Sequence, residues 1–101
     1  MIGVIVSFEY DHQLDRERVL GVAERAAPSF EGMPGLRLKA FTVDDANNRA
    51  FNFYVWEDEN AAHGFFTEEL RERVTGLYGA APRIDFVEIA ALVENTAAAV
   101  G

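Results

Sequence analysis

Hydrophobic and polar positions alternate at the start of the chain. Ile2 to Tyr10, "IGVIVSFEY", is β-branched and period-two, which predicts a first strand. Polar residues around "DHQLD" lead into "RERVLGVAERAA", where Val19, Val22, Ala23, Ala26 and Ala27 recur at helical spacing. Asp15 is a fair N-cap for that helix, and Pro28 is expected to close it because proline cannot continue the hydrogen-bond ladder. "EGMPG" (Glu31 to Gly35) reads as a turn before a second strand, "LRLKAFTV". "DDANN" turns the chain back into a third strand, "RAFNFYVW", so strands two and three form a predicted hairpin.

The segment "EDENAAHGFFTEELRERVTGLYG" then switches to a helical stripe of Ala62, Phe65, Phe66, Leu70, Val74, Leu77 and Tyr78. Asp58 is its candidate N-cap, Gly64 is a place for it to kink or divide, and Gly79 with Pro82 ends it. "RIDFVEIAALVE" reads as the last strand, and residues 95–101 as a flexible tail of small residues. No repeat, linker or low-complexity stretch divides residues 1–101, which read as a single domain. The order β-α-β-β-α-β is that of a ferredoxin-like α+β sandwich, with both helices on one face of an antiparallel sheet.

The other face of such a sheet should be polar, and here it is not. Strand three carries Phe51, Phe53 and Val55 on one side and Asn52, Tyr54 and Trp56 on the other. Strand two, by simple alternation, carries Arg37, Lys39, Phe41 and Val43 opposite Leu36 and Leu38. Burying a large apolar side chain is worth roughly 1.5–3 kcal/mol, so a sheet greasy on both faces is expected to pair with a second copy. The expected partner is therefore the same chain, as a homodimer joined through the sheet face.

Composition narrows the function. Seventeen acidic residues against nine basic ones give a net charge of −8, and no basic cluster offers a nucleic-acid or anionic-membrane surface. There is no cysteine, hence no disulfide, thiolate nucleophile or cysteine-bound metal. No apolar run approaches the roughly 20 residues of a membrane span, and no leader pattern precedes the first strand, so the expected location is cytoplasmic. The partners that remain are a second copy and a small apolar or aromatic ligand.

At this level of detail the chain resembles a known family. "MPGLRLKAF", the "DDANN" hairpin, "FYVWEDENAA" and the helix that follows are similar to the dimeric α+β barrel superfamily, and within it to small monooxygenases of antibiotic-biosynthesis type. The shared pattern is Pro-Gly before strand two, a third strand ending in Trp, then an acidic cap and Ala, here Pro34, Gly35, Trp56, Glu57 to Glu59 and Ala61. The resemblance covers roughly residues 30 to 95. It implies a ligand pocket between sheet and helices. Some members of the family oxygenate quinol- or anthrone-like polyketides without metal or flavin, and others degrade haem. In the cofactor-free oxygenases an Asn and a Trp four residues later line the pocket, a spacing matched by Asn52 and Trp56.

These comparisons make Asn52, Trp56 and His63 the candidate catalytic residues, and Tyr54, Phe65 and Tyr78 the candidate substrate-binding ones. Phe65 stands nine residues after the Trp, where the family often places a His. His63 comes two positions earlier, which turns it roughly 200° around the helix and argues against haem ligation. Each candidate has a structural alternative: a bonded strand amide for Asn52, a core slab for Trp56, packing for Tyr54 and Tyr78. Arg37 and Lys39 are placed to hold an anionic substrate, but edge-strand charges that block aggregation explain them equally well. Glu9, Asp11 and His12 cluster after the first strand and invite a metal reading, but Asp11 and His12 sit side by side without a third convergent ligand, and turn chemistry explains them as well. The expected activity is a cofactor-independent monooxygenase acting on a quinol- or phenol-like aromatic, with no metal and no cofactor. The alternative is a non-catalytic dimeric domain that senses or carries a small ligand.

Overall fold

In the computed structural model, which describes residues 1–95, the chain runs β1 (Ile2–Glu9), α1 (Arg16–Phe30), β2 (Leu36–Asp44), β3 (Arg49–Trp56), α2 (Glu59–Phe65), α3 (Glu68–Tyr78) and β4 (Arg83–Glu88). The strands form one antiparallel sheet in the order β2-β3-β1-β4. The helices cover one face of it, giving the ferredoxin-like α+β fold. Val4, Val6 and Phe8 of β1 and Ala50, Asn52, Tyr54 and Trp56 of β3 are buried beneath them. Among the described residues no helix is long and apolar enough to cross a membrane.

Local chemistry sets the helix ends. The Asp15 carboxylate accepts the Arg18 amide at 3.1 Å and starts α1. Pro28 does not close α1, as expected from its missing N–H, because it lies only two residues before the end. Ser29 Oγ donates to Ala26 O and the Glu31 amide to Pro28 O, so a last tightened turn carries the chain on to Phe30. The second helical segment is two helices. Gly64 stays inside α2, and the break falls at Phe66, because Thr67 caps a new helix by accepting from Leu70 N, with Glu68 and Glu69 in its first turn.

Two strand expectations are corrected. β2 contains a bulge between Leu36 and Leu38. Leu36 pairs with Trp56 and Lys39 with Tyr54 on the helix side, whereas Leu38 pairs with Val55 on the outer side. Arg37, at the bulge, turns to the surface and bonds the carboxylates of Glu57 and Glu94. The last strand stops at Glu88 rather than Glu94, because Glu88 already pairs with Ile2, where its only partner β1 begins. From there residues 89–95 turn across the outer face: Ile89 packs against Gly3, and Glu94 reaches Arg37 on the far edge strand. The tail assigned to residues 95–101 lies, from residue 96 onward, outside the described residues.

Candidate functional site

Between the helix side of the sheet and helices α1 and α3 lies a cavity of about 420 Å³. That is the size range of sites that enclose a small organic molecule. Its floor is Phe8, Asn52 and Tyr54, its roof Val22, Ala26 and Val74, and Phe65, Phe66 and Phe30 close one end. The walls are overwhelmingly apolar, so its few polar groups decide what it can hold.

Among the described residues Asn52 is the one buried side-chain amide, with 4% of its surface accessible. Its Nδ2 donates to the Tyr78 hydroxyl at 3.2 Å, and its Oδ1 has no partner among the described residues. An unpaired buried carbonyl costs roughly 1–3 kcal/mol, a cost that a ligand hydroxyl would remove. Turned over, the amide would instead accept the Tyr78 proton and present N–H, so the pair suits either a phenol or a phenolate oxygen. Tyr78 is held for this role. Its ring stacks on Phe8 at 3.8 Å, and its carbonyl accepts from the Tyr10 hydroxyl at 2.7 Å. Burial raises the pKa of Tyr78, partly countered by the Asn52 bond, and burial together with Tyr78 raises that of Tyr54. Both tyrosines therefore stay protonated, and the Tyr78 hydroxyl, which accepts from Asn52, keeps its own proton to donate.

The sequence-predicted residues divide. Asn52, Tyr54, Phe65 and Tyr78 meet on the cavity wall. Trp56 does not reach it. With 1% of its surface accessible, it lies in a cluster with Tyr54, Phe65 and Phe66, at ring separations of 6.1, 5.5 and 6.2 Å. Its indole N–H is buried and unpartnered. His63 lies on the outer surface of α2, its ring stacked 4.5 Å from that of Phe86 and its Nε2 3.7 Å from Glu59. Two turns of alternation cannot bring it inward, and neither histidine of the chain lines the cavity. Asp11 and His12 form an exposed pair at 3.0 Å, and no group of three metal-binding side chains occurs among the described residues.

Lys39 stays on the face that alternation gave it, with Phe41 and Val43, and the bulge instead moves Leu36 to that side. Its Nζ lies over the aromatic wall, 3.5 Å from the Phe30 ring centre, 4.0 Å from Phe41 and 4.5 Å from Tyr54. Burial pulls its pKa down to about 7, while three ring faces favour the ammonium and work the other way. The available signal was compositional: Lys39 is the chain's only lysine, set in the middle of an apolar strand.

No family model matches the chain, and no curated protein matches its sequence. Its fold does match solved structures. One is a monooxygenase from the gene ActVA-Orf6 of Streptomyces coelicolor, in complex with nanaomycin D: TM-score 0.70 and 19% identity, over 92% of this chain and 90% of that one. A protein of unknown function from Nitrosomonas europaea, NE2512, gives 0.67 and 16%, over 92% of each chain. SnoaB, a cofactor-independent oxygenase from Streptomyces nogalater, gives 0.65 and 17%, over 91% of this chain and 95% of that one. At these identities the likeness establishes the fold: that of the antibiotic-biosynthesis-type monooxygenases.

Proposed function

We propose that the protein is a cofactor-independent monooxygenase acting on a quinol- or phenol-like aromatic bound in this cavity. The observation that carries the reading is Asn52, a buried amide on the wall of a largely apolar cavity, whose Oδ1 has no partner among the described residues. Two structures of the same fold are of a monooxygenase in complex with nanaomycin D and of a cofactor-independent oxygenase, which supports the reaction class.

The chemistry asks little of the protein. An electron-rich phenolate or enolate reduces oxygen itself, a carbon–oxygen bond forms, and the resulting hydroperoxide loses water. One oxygen atom stays in the product as a carbonyl, the other leaves as water, and the substrate supplies all four electrons. Asn52 and Tyr78 orient the substrate oxygen and stabilise its anion, and the apolar walls exclude water while oxygen adds. Trp56 and His63 have no contact with the reacting atoms in this reading, so the roles their positions suggested pass to the Asn52–Tyr78 pair. The working unit is a homodimer joined through the outer face, where Ile5, Phe51 and Phe53 are only half-buried. Light scattering on the eluting protein checks that assembly.

Oxygen uptake by metal-stripped protein across hydroquinones, naphthoquinols and anthrones tests the activity. Uptake proportional to protein, insensitive to chelator and lost in Asn52→Leu, is the expected result. A flat trace with ligand binding retained would overturn the oxygenase reading and leave a non-catalytic binding domain.

A further inference from the structure

The cavity is electrically out of keeping with the chain around it. The protein carries 17 carboxylates and a net charge of −8, yet none of the residues lining the cavity is Asp or Glu. Two of them are cations, Lys39 from β2 and Arg73 from α3. Neither has a carboxylate within ion-pair distance among the described residues, whereas Arg37, two positions from Lys39 on the same strand, has two. Lys39 is half-buried, and a cation drawn partly out of water without a counter-ion is costly, whereas Arg73 is exposed and keeps its hydration.

The other ionisable groups around Lys39 do not supply the missing charge. Tyr54 and Tyr78 remain neutral, and Arg37 is already committed to Glu57 and Glu94. Glu31 borders a separate shallow cleft on the far side of the Phe30–Lys39–Phe41 wall and forms no ion pair with the lysine. The ammonium therefore lies against three rings, and its side chain borders both this cavity and that cleft.

We infer that the ligand of this cavity is an aromatic acid, a molecule whose ring system carries a carboxylate or an acidic phenol or enol, with Lys39 as its counter-charge. The inference rests on the reading of the cavity as an aromatic site and adds the charge of what enters it. A ligand arriving as an acidic phenol gives its proton to the Lys39 amine, leaving an ammonium–phenolate pair and no net change in charge. The same transfer produces the electron-rich anion that the oxygenation needs.

The test is calorimetric binding of 2-naphthoate and of its methyl ester, near-isosteric probes that differ by one charge and do not consume oxygen. The wild-type protein is expected to prefer the acid by roughly tenfold or more, since the ester leaves the buried cation unpaired. In Lys39→Met the two affinities should converge, and in Lys39→Arg the preference should return. Because Lys39 is the chain's only lysine, reductive ¹³C-methylation labels it together with the N-terminus alone. Its titration is expected to move to higher pH on adding naphthoate and not on adding the ester, a result that needs no variant to fold. Equal affinities for the two probes, or a preference that survives in Lys39→Met, would overturn the inference while leaving the aromatic site intact. Binding of neither probe would overturn both. Naphthoate preference without oxygen uptake on any quinol would retain the inference and remove only the oxygenase reading.

Discussion

Asn52 and Trp56 lie four residues apart on one row of one strand, both buried, each with a polar atom that has no partner. Their surroundings are opposite. At the Trp56 end α2 is laid close against the sheet: a Cβ on Gly35 would fall 2.8 Å from that of Ala61, and Phe65 and Phe66 fill the remaining volume. At the Asn52 end α1 and α3 span the sheet without filling the space below, and the cavity opens there. An unpaired polar atom points to a ligand only where there is room for one beside it. At Trp56 it is a cost of packing, and at Asn52 it belongs to a residue on the wall of a cavity.

The largest effect expected from testing this contrast is at the closed end. Gly35 has φ of +81° as well as that 2.8 Å approach, so Gly35→Ala should destabilise the protein by about 2–4 kcal/mol in urea unfolding. At the open end Asn52→Leu should lower kcat/KM for a quinol by about 100-fold while changing unfolding stability by less than about 1 kcal/mol. There the loss of the Tyr78 bond and the relief of the unpaired oxygen oppose each other. Substitution at the closed end therefore shows in the unfolding curve, and substitution at the open end in turnover.

Lys39 sharpens the same contrast through pH. Its folded pKa, about 7, lies below the unfolded value, so below pH 7 it is charged in both states and its burial penalty is fully present. Between about pH 7 and 10 the folded protein holds fewer protons than the unfolded one, and stability rises. Lys39→Met should remove that rise, and at pH 6 it should be the more stable protein by on the order of 2 kcal/mol, discounted for the three aromatic faces. Paired denaturation curves at pH 6 and 9 check this. The smallest effect is at Trp56→Phe: a cavity cost of about 1–2 kcal/mol in unfolding, with affinity for quinols or naphthoate unchanged within about twofold.

The course of the chain was legible wherever alternation or helical spacing had no competitor. β3 and its two faces, and the stripe that puts Phe65 and Tyr78 over the sheet, follow directly from side-chain periodicity. Where the expectation failed, a non-local or one-residue effect had intervened. "IAALV" continues the alternation of β4, but a strand needs a partner, and β1 has begun at Ile2. Periodicity likewise cannot register the extra residue at Arg37, so Leu36 read as sharing a face with Leu38 when it lies on the helix side. For the site, type and row were readable, and depth was not. Asn52 and Trp56 looked equivalent because their difference lies in how α2 and α3 pack above them.

The central claim is that a phenolic oxygen docks at Asn52 and not at Trp56. Both side chains carry N–H groups visible by ¹⁵N NMR, and the chain has a single tryptophan, so its indole resonance is unambiguous. The decisive measurement is an anaerobic titration with 1,4-naphthoquinol and, separately, with its dimethyl ether. The account predicts that the Asn52 side-chain amide shifts with the quinol and far less with the ether, while the Trp56 indole barely moves. An indole that shifts with the quinol while the Asn52 amide stays still would contradict it.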